Sequence, residues 1–501
     1  MHSRVLKLCT DCPNLEFYRS ILLGAHIKAC PEILHDLALA RDTYLKTISK
    51  RRVYGASTGV GALQSLEISH TEKTELRLIL EHAAGVGRYL DEEPSRMVLT
   101  VRIVQLSRGY SPVRPQVLEK LIEYLAHGII PALPVYGSVG ASGDLVPLAH
   151  MVYTYMGKGK VWYRGRLVDS ALALREEGLE PLRLEKGEAL SLINGTAFST
   201  GVLIYVVLKL AALLRVWAEI AGISIGLSTC NPEHYQYRVA SIKMHRYPNE
   251  LLGIIEKLVE DYSDTKGCSI IQDPYSLRCT PQIFSAVYSS LEQAALIGLC
   301  EACSPTDNPI VMDGGVKHQC SFHGVHIALS ADSLAIAMAV LANNAERRIS
   351  QLLDKNTTRV ETNFLGGPES PSGYMIAQYT AASRTALLRQ IAAPYSVHNI
   401  PTSLLQEDVV SMSANASVRL LEGLNALIDV AAIELVLAAR LAYLKGRSLP
   451  EQYKLVYDMV SRDDHAIAEL IAVSRKIVED AIINELRAHS LSWLSPRCSK
   501  E

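Results

Sequence analysis

Residues 196–227 read TAFSTGVLIYVVLKLAALLRVWAEIAGISIGL, the stretch of the chain that comes closest to a membrane-spanning helix. Three charged side chains, Lys209, Arg215 and Glu219, interrupt this apolar run at short intervals. A membrane span rarely carries such charges, whereas a helix inside a large soluble protein has neighbours that cover its apolar faces. The stretch therefore predicts a buried helix in a soluble helical bundle, with no membrane association.

Apolar residues recur at helical spacing in other long stretches of the chain as well. Together the helical stretches are 74–90, 115–127, 201–221, 324–353, 375–392, 415–444 and 463–489. Alternating patterns typical of strands are few, and LRLEKGEAL at 182–190 predicts one short hairpin. The expected fold class is therefore all-α or nearly so, with a long central helix bundle.

Loops and linkers divide the chain into three expected parts. GRSLP at 446–450 has the composition of a linker. We expect a loop-rich N-terminal domain over 1–200, a central helical-bundle domain over 201–447 and a C-terminal helical segment over 448–501. Functional residues concentrate in loops held by a rigid scaffold, and polar loops rich in Gly or Pro occur at 54–61, 131–144, 194–196, 272–282, 303–324 and 394–408.

Composition limits the function classes. The formal net charge is −2, and five Phe and three Trp are present, which argues against a nucleic-acid-binding surface. The first residues, MHSRVLKLCTDC, contain no apolar run of signal-peptide length. We therefore expect a cytoplasmic protein whose ten scattered cysteines are reduced thiols. A zinc site built from two CxxC pairs, Cys9 with Cys12 and Cys300 with Cys303, is the alternative.

One loop concentrates small residues beyond what a turn requires. Residues 137–150 read GSVGASGDLVPLAH, and glycine costs about 1 kcal/mol relative to alanine inside a helix. Asp144 is a plausible N-cap for a helix that follows, so a surface turn is one interpretation. The stretch matches neither GxGxxG nor GxxxxGK[ST], which disfavours a phosphate-binding loop. Glycine also lets a backbone bend tightly or approach another group closely.

Further short motifs occur before and after this loop. Tyr54-Gly55 precedes it, and Asn194-Gly195-Thr196, QDPYSLRC at 272–279, TDNP at 306–309, SFHG at 321–324 and QED at 406–408 follow in order. With the Ala-Ser-Gly core of the loop, they resemble the histidine, phenylalanine and tyrosine ammonia-lyase and aminomutase family. The resemblance extends from about residue 15 to at least residue 450.

This resemblance implies a cofactor made from the chain itself. In the family, the nitrogen of the residue at Gly143 attacks the carbonyl of Ala141, and Ser142 loses water. The product is a 4-methylideneimidazol-5-one ring (MIO), an electrophile that requires no metal and no external cofactor. Cyclisation needs a tight bend that bulky residues would forbid, so the physical and family interpretations of the loop agree. The resemblance also implies a homotetramer with active sites assembled from several subunits.

Family positions assign catalytic roles to three further residues. Tyr54 would take the β-proton of the substrate as tyrosinate, which requires nearby positive charge or hydrogen-bond donors. Asn194 would stabilise negative charge on the MIO ring oxygen. Tyr275 matches a catalytic tyrosine that lines the site.

Other family positions would bind the substrate. Arg278 matches the arginine that binds the substrate carboxylate, for which its planar fork is suited. Gln272 lines the same region. Phe322 would contact the substrate side chain, with ordinary core packing as the alternative. Glu407 would lie near the substrate ring, with a capping or surface carboxylate as the alternative.

The resemblance implies that the pair Glu81-His82 helps to select the substrate. Histidine ammonia-lyases typically have Ser-His at this pair, so only His82 matches them. His82 and Glu407 would suit a side chain that forms hydrogen bonds, such as imidazole. Glu81 would either face a cationic substrate or pair with Arg77 one helical turn earlier. The chain departs from the family pattern at several polar positions, which predicts a retuned pocket: Ser57, Glu75, Arg77, Ala197, Ser321, Leu405 and Pro112.

The resemblance and these residues predict an ammonia-lyase for an α-amino acid, with L-histidine as the leading substrate and urocanate as the product. A 2,3-aminomutase would use the same groups and return ammonia to the β-carbon. A lyase for tyrosine, phenylalanine or a cationic amino acid also stays open. A catalytically silent scaffold is the alternative from another class, and an unmodified tripeptide would be its sign.

Overall fold

The apolar stretch at 196–227 forms one helix, Ala197–Ser228, at the centre of the protein. Nearly all of its 32 residues are buried. Helices on every side cover it, so its apolar surface is satisfied by protein, as expected for a helix that is hydrophobic all round. The prediction of a buried bundle helix is confirmed, and the helix is longer than the stretch 201–221.

The computed structural model describes residues 4–69, 71–367, 369–462, 464–489 and 491–494. Within these residues the α-helices, in chain order, are α1 Leu15–Leu22, α2 Pro31–Ile48, α3 Glu72–His82, α4 Glu92–Leu106, α5 Pro115–Ala126, α6 Leu145–Tyr155, α7 Ser170–Glu176, α8 Glu188–Ile193, α9 Ala197–Ser228, α10 Tyr237–Ala240, α11 Asn249–Tyr262, α12 Tyr275–Arg278, α13 Thr280–Ala302, α14 Val325–Leu352, α15 Lys355–Thr358, α16 Met375–Ile391, α17 Ser413–Leu444, α18 Lys454–Arg462 and α19 Ile467–Ala488. The strands are β1 Val5–Leu8, β2 His26–Ala29, β3 Val86–Tyr89, β4 Ile130–Pro131, β5 Pro134–Tyr136, β6 Lys160–Tyr163, β7 Arg166–Asp169, β8 Ile310–Met312 and β9 Gly315–Lys317.

The long helices form the bundle. α9 packs against α4, α11, α13, α17 and α19, and α14 packs against α13, α16 and α17. Between α9, α14 and α17 lies a fully buried ion pair, in which Arg348 Nε and Nη2 each donate to a Glu434 carboxylate oxygen at 2.8 Å. Trp217 Nε1 donates to Glu434 Oε2 at 2.8 Å, so one carboxylate joins three helices.

The strands form four small sheets rather than a core. β1 pairs with β2 in parallel, and β3 with β5, β4 with β6, β6 with β7 and β8 with β9 are antiparallel. Most of them belong to the N-terminal half of the chain. The mainly helical fold class is confirmed.

Two local predictions are wrong. The helix expected over 74–90 ends at His82, and Val86–Tyr89 forms strand β3. The hairpin expected at 182–190 is absent from the described part of the chain, and α8 begins at Glu188 instead. The cause lies in a distant residue, because the buried Glu75 carboxylate accepts hydrogen bonds at 2.8 Å from the nitrogens of Gly187 and Ala189. These contacts satisfy free N–H groups at the start of a helix.

The expectation of reduced thiols holds for Cys279 and Cys320 and is wrong for the other described cysteines. Disulfides join Cys9 to Cys30, Cys12 to Cys303 and Cys230 to Cys268, and Cys300 is disulfide-bonded too. The bond from Cys12 to Cys303 ties the N-terminal segment to the end of α13 across 291 residues of sequence. The zinc alternative has no support, since no group of three metal-ligating side chains occurs among the described residues.

Three helices are long and apolar enough to cross a membrane by length and composition alone, namely α9, α13 and α14. The most apolar window of α9 is 89% buried inside the bundle, whereas those of α13 and α14 are 50% and 67% buried. On α14, the side chains of Val325, Leu329, Ile336 and Val340 are exposed at helical spacing. Together these side chains form an apolar stripe on the surface of α14.

Candidate active site

The loop before α6 requires glycine at the positions where the sequence has it. Gly140 and Gly143 have φ values of +67° and +70°, which favour glycine. A Cβ on Gly143 would lie 2.3 Å from the Gly195 carbonyl oxygen. That oxygen also accepts a hydrogen bond from the Asp144 nitrogen at 2.7 Å. The tight bend therefore results from close approach of two backbone segments.

Ser142 is held at its carbonyl by Asn194. The Asn194 Nδ2 group donates to the Ser142 oxygen at 2.8 Å, and Asn194 itself is buried. The Ser142 oxygen is the atom that would become the oxygen of an MIO ring. The contact is the one that the family position of Asn194 predicts, so a donor faces the atom where negative charge would develop.

Asp144 begins α6 but its side chain does not cap that helix. The carboxylate instead accepts hydrogen bonds from the Ser199 nitrogen at 2.8 Å, from Ser199 Oγ at 2.9 Å and from Ser138 Oγ at 3.2 Å. The residue is fully buried, and this burial raises the pKa of Asp144 to about 6. Asp144 thus ties the loop to the first turn of α9.

Beside this loop lies a cavity of about 740 Å³. Five of the residues singled out from the sequence line it, namely Tyr54, Ala141, Ser142, Phe322 and Glu407. The other lining residues are Arg52, Val53, Thr58, Gly61, Gln64, Ser65, Asn308, His318, Cys320, His323, Gln406, Asp408 and Val409. Segments separated by hundreds of residues therefore meet at one site.

Tyr54 lies in this cavity with its hydroxyl group held in place. The Tyr54 oxygen accepts a hydrogen bond from the Gly61 nitrogen at 2.7 Å. Burial raises the pKa of Tyr54, the Gly61 hydrogen bond opposes that effect, and the nearby Glu407 charge adds to it. Within this one chain the phenol form is favoured, so a tyrosinate would need a further positive charge near the site.

Glu407 contacts the Ala-Ser-Gly tripeptide directly. The Ser142 hydroxyl donates to Glu407 Oε1, and the Thr402 hydroxyl donates to Glu407 Oε2. The backbones of Thr402 and Glu407 also pair across a short turn. Glu407 is therefore not a helix-capping residue, since both of its carboxylate oxygens accept hydrogen bonds from hydroxyl groups in the cavity wall.

A second group of expected site residues lies elsewhere on the chain. Tyr275 and Arg278 are the first and last residues of the short helix α12, Gln272 precedes that helix, and none of the three lines the cavity. Tyr275 is 71% exposed, and the Arg278 guanidinium lies 4.8 Å from the centre of its ring. Arg278 Nε is buried and makes no hydrogen bond within the described residues. One chain by itself therefore separates these three residues from the loop that contains Ser142.

The pair expected to select the substrate also lies outside the cavity lining. His82 Nδ1 is 2.8 Å from the Leu78 carbonyl oxygen of its own helix. Glu81 forms an ion pair with Arg77 at 2.7 Å, the alternative that its spacing allowed. Both side chains of that pair are largely exposed, with 57% and 74% of their surfaces accessible.

The residues that depart from the family pattern lie outside the cavity lining, and some of them support the local fold. Glu75 supports the start of α8 as described, and Ser57 Oγ accepts from the Val53 nitrogen at 3.1 Å. Leu405 is 71% exposed with φ of +66° in the turn before Glu407. None of the departures lines the cavity within the described chain. The expected retuning of the pocket stays a prediction.

Two of the other lining residues, His318 and Cys320, lie between the motifs TDNP and SFHG and were not expected in the site. His318 Nε2 accepts a hydrogen bond from the Tyr54 nitrogen at 3.3 Å, and Cys320 is an exposed free thiol in the same wall. Partial desolvation and the nearby Arg51 cation lower the pKa of His318, which favours the neutral ring that this contact requires. The loop 303–324 was expected to be functional, but its motifs, TDNP at 306–309 and SFHG at 321–324, lie on either side of His318 and Cys320 and include neither residue.

The helical bundle and a site that combines Ala-Ser-Gly, Tyr54, Asn194 and Glu407 define a class of protein, the amino acid ammonia-lyases and aminomutases. Comparison with known proteins agrees. The family model "Aromatic amino acid lyase" matches residues 15–462. The chain belongs to the aromatic amino acid lyase family.

Individual relatives cover most of the chain. It is 36% identical to the probable histidine ammonia-lyase of Thermoplasma acidophilum, over 84% of this chain and 86% of that protein. It is 32% identical to the histidine ammonia-lyase of Aliivibrio fischeri, over 92% and 94%. Among solved structures, the Pantoea agglomerans phenylalanine aminomutase matches with TM-score 0.85 and 28% identity, covering 95% of this chain and 99% of that one. The Trypanosoma cruzi histidine ammonia-lyase matches with TM-score 0.84 and 27% identity, covering 99% of each chain.

Proposed function

We propose that this protein is a carbon–nitrogen lyase that eliminates ammonia from L-histidine to give urocanate. The observation that carries the proposal is the geometry around Ser142, whose carbonyl contacts Asn194 and whose hydroxyl contacts Glu407 at the wall of a substrate-sized cavity. The relatives named histidine ammonia-lyase over most of the chain support histidine as the substrate.

The residues present fit an MIO group made from Ala141, Ser142 and Gly143. A left-handed Gly143 pressed against Gly195 leaves no room for a side chain, as a backbone cyclisation requires. Asn194 already donates to the future ring oxygen. Once formed, the group supplies an electrophile for the substrate amine, which makes that amine a better leaving group.

The chain's own residues would perform the remaining steps. Tyr54 takes the β-proton at its hydroxyl oxygen, and the Gly61 N–H and the His318 contact hold the tyrosine in place. Asn194 stabilises negative charge at the Ser142 oxygen. Glu407 lies where it would accept a hydrogen bond from an imidazole side chain, and Phe322 forms the wall beside it.

The substrate carboxylate would be bound by a second copy of the chain. Arg278, Tyr275 and Gln272 lie outside the cavity of their own chain, and Arg278 Nε lacks a hydrogen-bond partner among the described residues. A neighbouring copy would bring this cation near Tyr54, which would favour the tyrosinate. The exposed apolar stripe on α14 supports such an assembly, for which we propose a homotetramer.

Proton NMR with purified protein tests the activity. L-histidine, L-tyrosine, L-phenylalanine and L-arginine are supplied in turn, with the variant Ser142→Ala as the blank. Vinyl signals and ammonia from histidine alone would support the proposal. Vinyl product from a different amino acid would contradict histidine as the substrate, and no reaction together with an unmodified tripeptide in a peptide mass spectrum would favour the silent scaffold.

A 2,3-aminomutase is the second candidate, because the Pantoea phenylalanine aminomutase shares the fold at 28% identity. It would use the same residues, and a β-amino acid signal in the same spectra would identify it. The outcome depends on how long the unsaturated product stays bound before ammonia returns.

We propose a cytoplasmic location with one added condition. The disulfides require a compartment that does not reduce them, and such intracellular disulfides occur mainly in hyperthermophilic organisms. Alkylation of thiols in fresh cell extract, followed by peptide mass analysis, would measure the paired fraction. Fully alkylated Cys12 and Cys303 would contradict intact disulfides in that compartment.

A further inference from the structure

We propose that Glu407 has a second task before any substrate arrives: it delivers the proton that lets the Ser142 hydroxyl leave as water while the tripeptide matures. This inference rests on the proposed function, because it assumes that Ala141, Ser142 and Gly143 become the MIO group. It extends that function by assigning a residue to the construction of the electrophile.

The first observation is the contact itself. Hydroxide is a poor leaving group, so loss of the Ser142 hydroxyl needs a proton donor at Oγ. Within the described residues, the hydrogen bond from Ser142 Oγ goes to Glu407 Oε1. The carboxylate of Asp144, next to the tripeptide in sequence, is engaged by Ser199 and Ser138 instead.

The second observation is the turn that holds Glu407. Ser403, Leu404 and Leu405 have φ values of +50°, +52° and +66°, all in the left-handed region that non-glycine residues disfavour. Such strain persists only where the surroundings enforce it, and it is concentrated at functional sites. Two hydrogen bonds close the turn. The Thr402 nitrogen donates to the Glu407 backbone carbonyl oxygen at 3.0 Å, and the Thr402 hydroxyl donates to Glu407 Oε2.

The third observation concerns the opposite side of Ser142. Loss of the Ser142 Cα proton places negative charge on the Ser142 carbonyl oxygen, and Asn194 Nδ2 donates to that oxygen at 2.8 Å. Asn194 therefore contacts the carbonyl group of Ser142 and Glu407 contacts its hydroxyl group, the two groups that the elimination changes. Thr402 acts through Glu407 and is a positioning residue.

The dehydration step balances without an external reagent. Glu407 first takes a proton from solvent. The Cβ–Oγ bond of Ser142 then breaks as Oγ takes that proton from the Glu407 carboxyl group and leaves as water. The Cα proton passes to solvent in the open cavity, and its electron pair forms the Cα=Cβ double bond. Glu407 is left as the carboxylate and is then free to accept a hydrogen bond from a substrate.

The test measures maturation rather than turnover. Wild type, Glu407→Gln and the surface control Glu250→Gln are made by cell-free synthesis, and the peptide that contains 141–143 is weighed at intervals. We expect wild type and control to end two waters lighter than the encoded tripeptide. Ring closure at the Ala141 carbonyl releases one water, and loss of the Ser142 hydroxyl releases the other. We expect Glu407→Gln to accumulate a species that is one water lighter and to lose the second water about 100-fold more slowly, in line with the contribution of a general acid.

A second variant keeps the proposal testable if Glu407→Gln does not fold, as judged by circular dichroism. Thr402→Val retains the acid but removes its Oε2 contact, so slower loss of the second water is expected at an unchanged melting temperature. Dehydration at the wild-type rate in a folded Glu407→Gln, or in Thr402→Val when the first variant is unfolded, would overturn the proposal. An unmodified wild-type tripeptide would instead refute the proposed function itself.

Discussion

Replacing Glu434 by glutamine should destabilise the protein by about 3–5 kcal/mol, the cost of leaving a buried cation without its partner. The Arg348 and Glu434 side chains are both fully buried, and two hydrogen bonds of 2.8 Å join them. The substitution removes the negative charge and turns an NH2 group toward either the guanidinium or Trp217. It preserves side-chain volume, so a cavity would not account for the loss.

Urea unfolding followed by circular dichroism, at one fixed protein concentration, would measure the change for Glu434→Gln. Asp480→Asn is the matched control, because its ion pair with Lys476 is largely exposed and should be worth less than about 1 kcal/mol. The double variant Arg348→Met with Glu434→Leu should recover most of the loss, since apolar side chains of similar size can replace a buried pair. A loss below about 1 kcal/mol for Glu434→Gln would refute the reasoning.

Four further predictions follow from the site and the cross-links. Gly143→Ala should abolish both activity and dehydration of the tripeptide, because its Cβ would lie 2.3 Å from Gly195, and peptide mass analysis would detect any normal maturation. Cys12→Ser should lower the free energy of unfolding by about 2–5 kcal/mol in urea, and no change would mean that the bond to Cys303 does not restrain the unfolded chain. The buried Asp144 binds its proton more tightly in the folded state, so its contribution to stability should fall as pH rises from about 4 to about 6 and stay constant above; Asp144→Asn should remove that slope from the unfolding free energy. His318→Leu should lower kcat more than it raises KM, because it removes the acceptor for the Tyr54 N–H; equal kcat values would contradict a positioning role.

Much of the fold could be predicted because it depends on local spacing. The stretches 115–127 and 375–392 correspond to Pro115–Ala126 and Met375–Ile391. Their apolar residues recur at helical spacing whatever lies opposite. The hairpin expected at 182–190 was wrong because Glu75, which contacts Gly187 and Ala189, is more than a hundred residues away in sequence. The three-part division of the chain stays a prediction.

Site residues could be predicted where they belong to a motif that indicates a chemical role. The Ala-Ser-Gly tripeptide, Tyr54 and Asn194 were singled out from their motifs, and Asn194 contacts Ser142 in the structure. The role of His82 in substrate choice stays a prediction, because among the described residues its ring nitrogen Nδ1 contacts the Leu78 carbonyl oxygen of its own helix. His318 could not be singled out, since its contact with Tyr54 joins two loops that no motif connects.

The sequence by itself determined the helical class and the family, because spacing and motif chemistry are properties of neighbouring residues. Only the tertiary structure decided that Glu81 pairs with Arg77 and that Cys12 bonds Cys303. It also decided that Glu407 contacts Ser142 while Arg278 lies outside the same cavity. These outcomes depend on distances between residues far apart in the chain, and such distances exist only once the helices have packed.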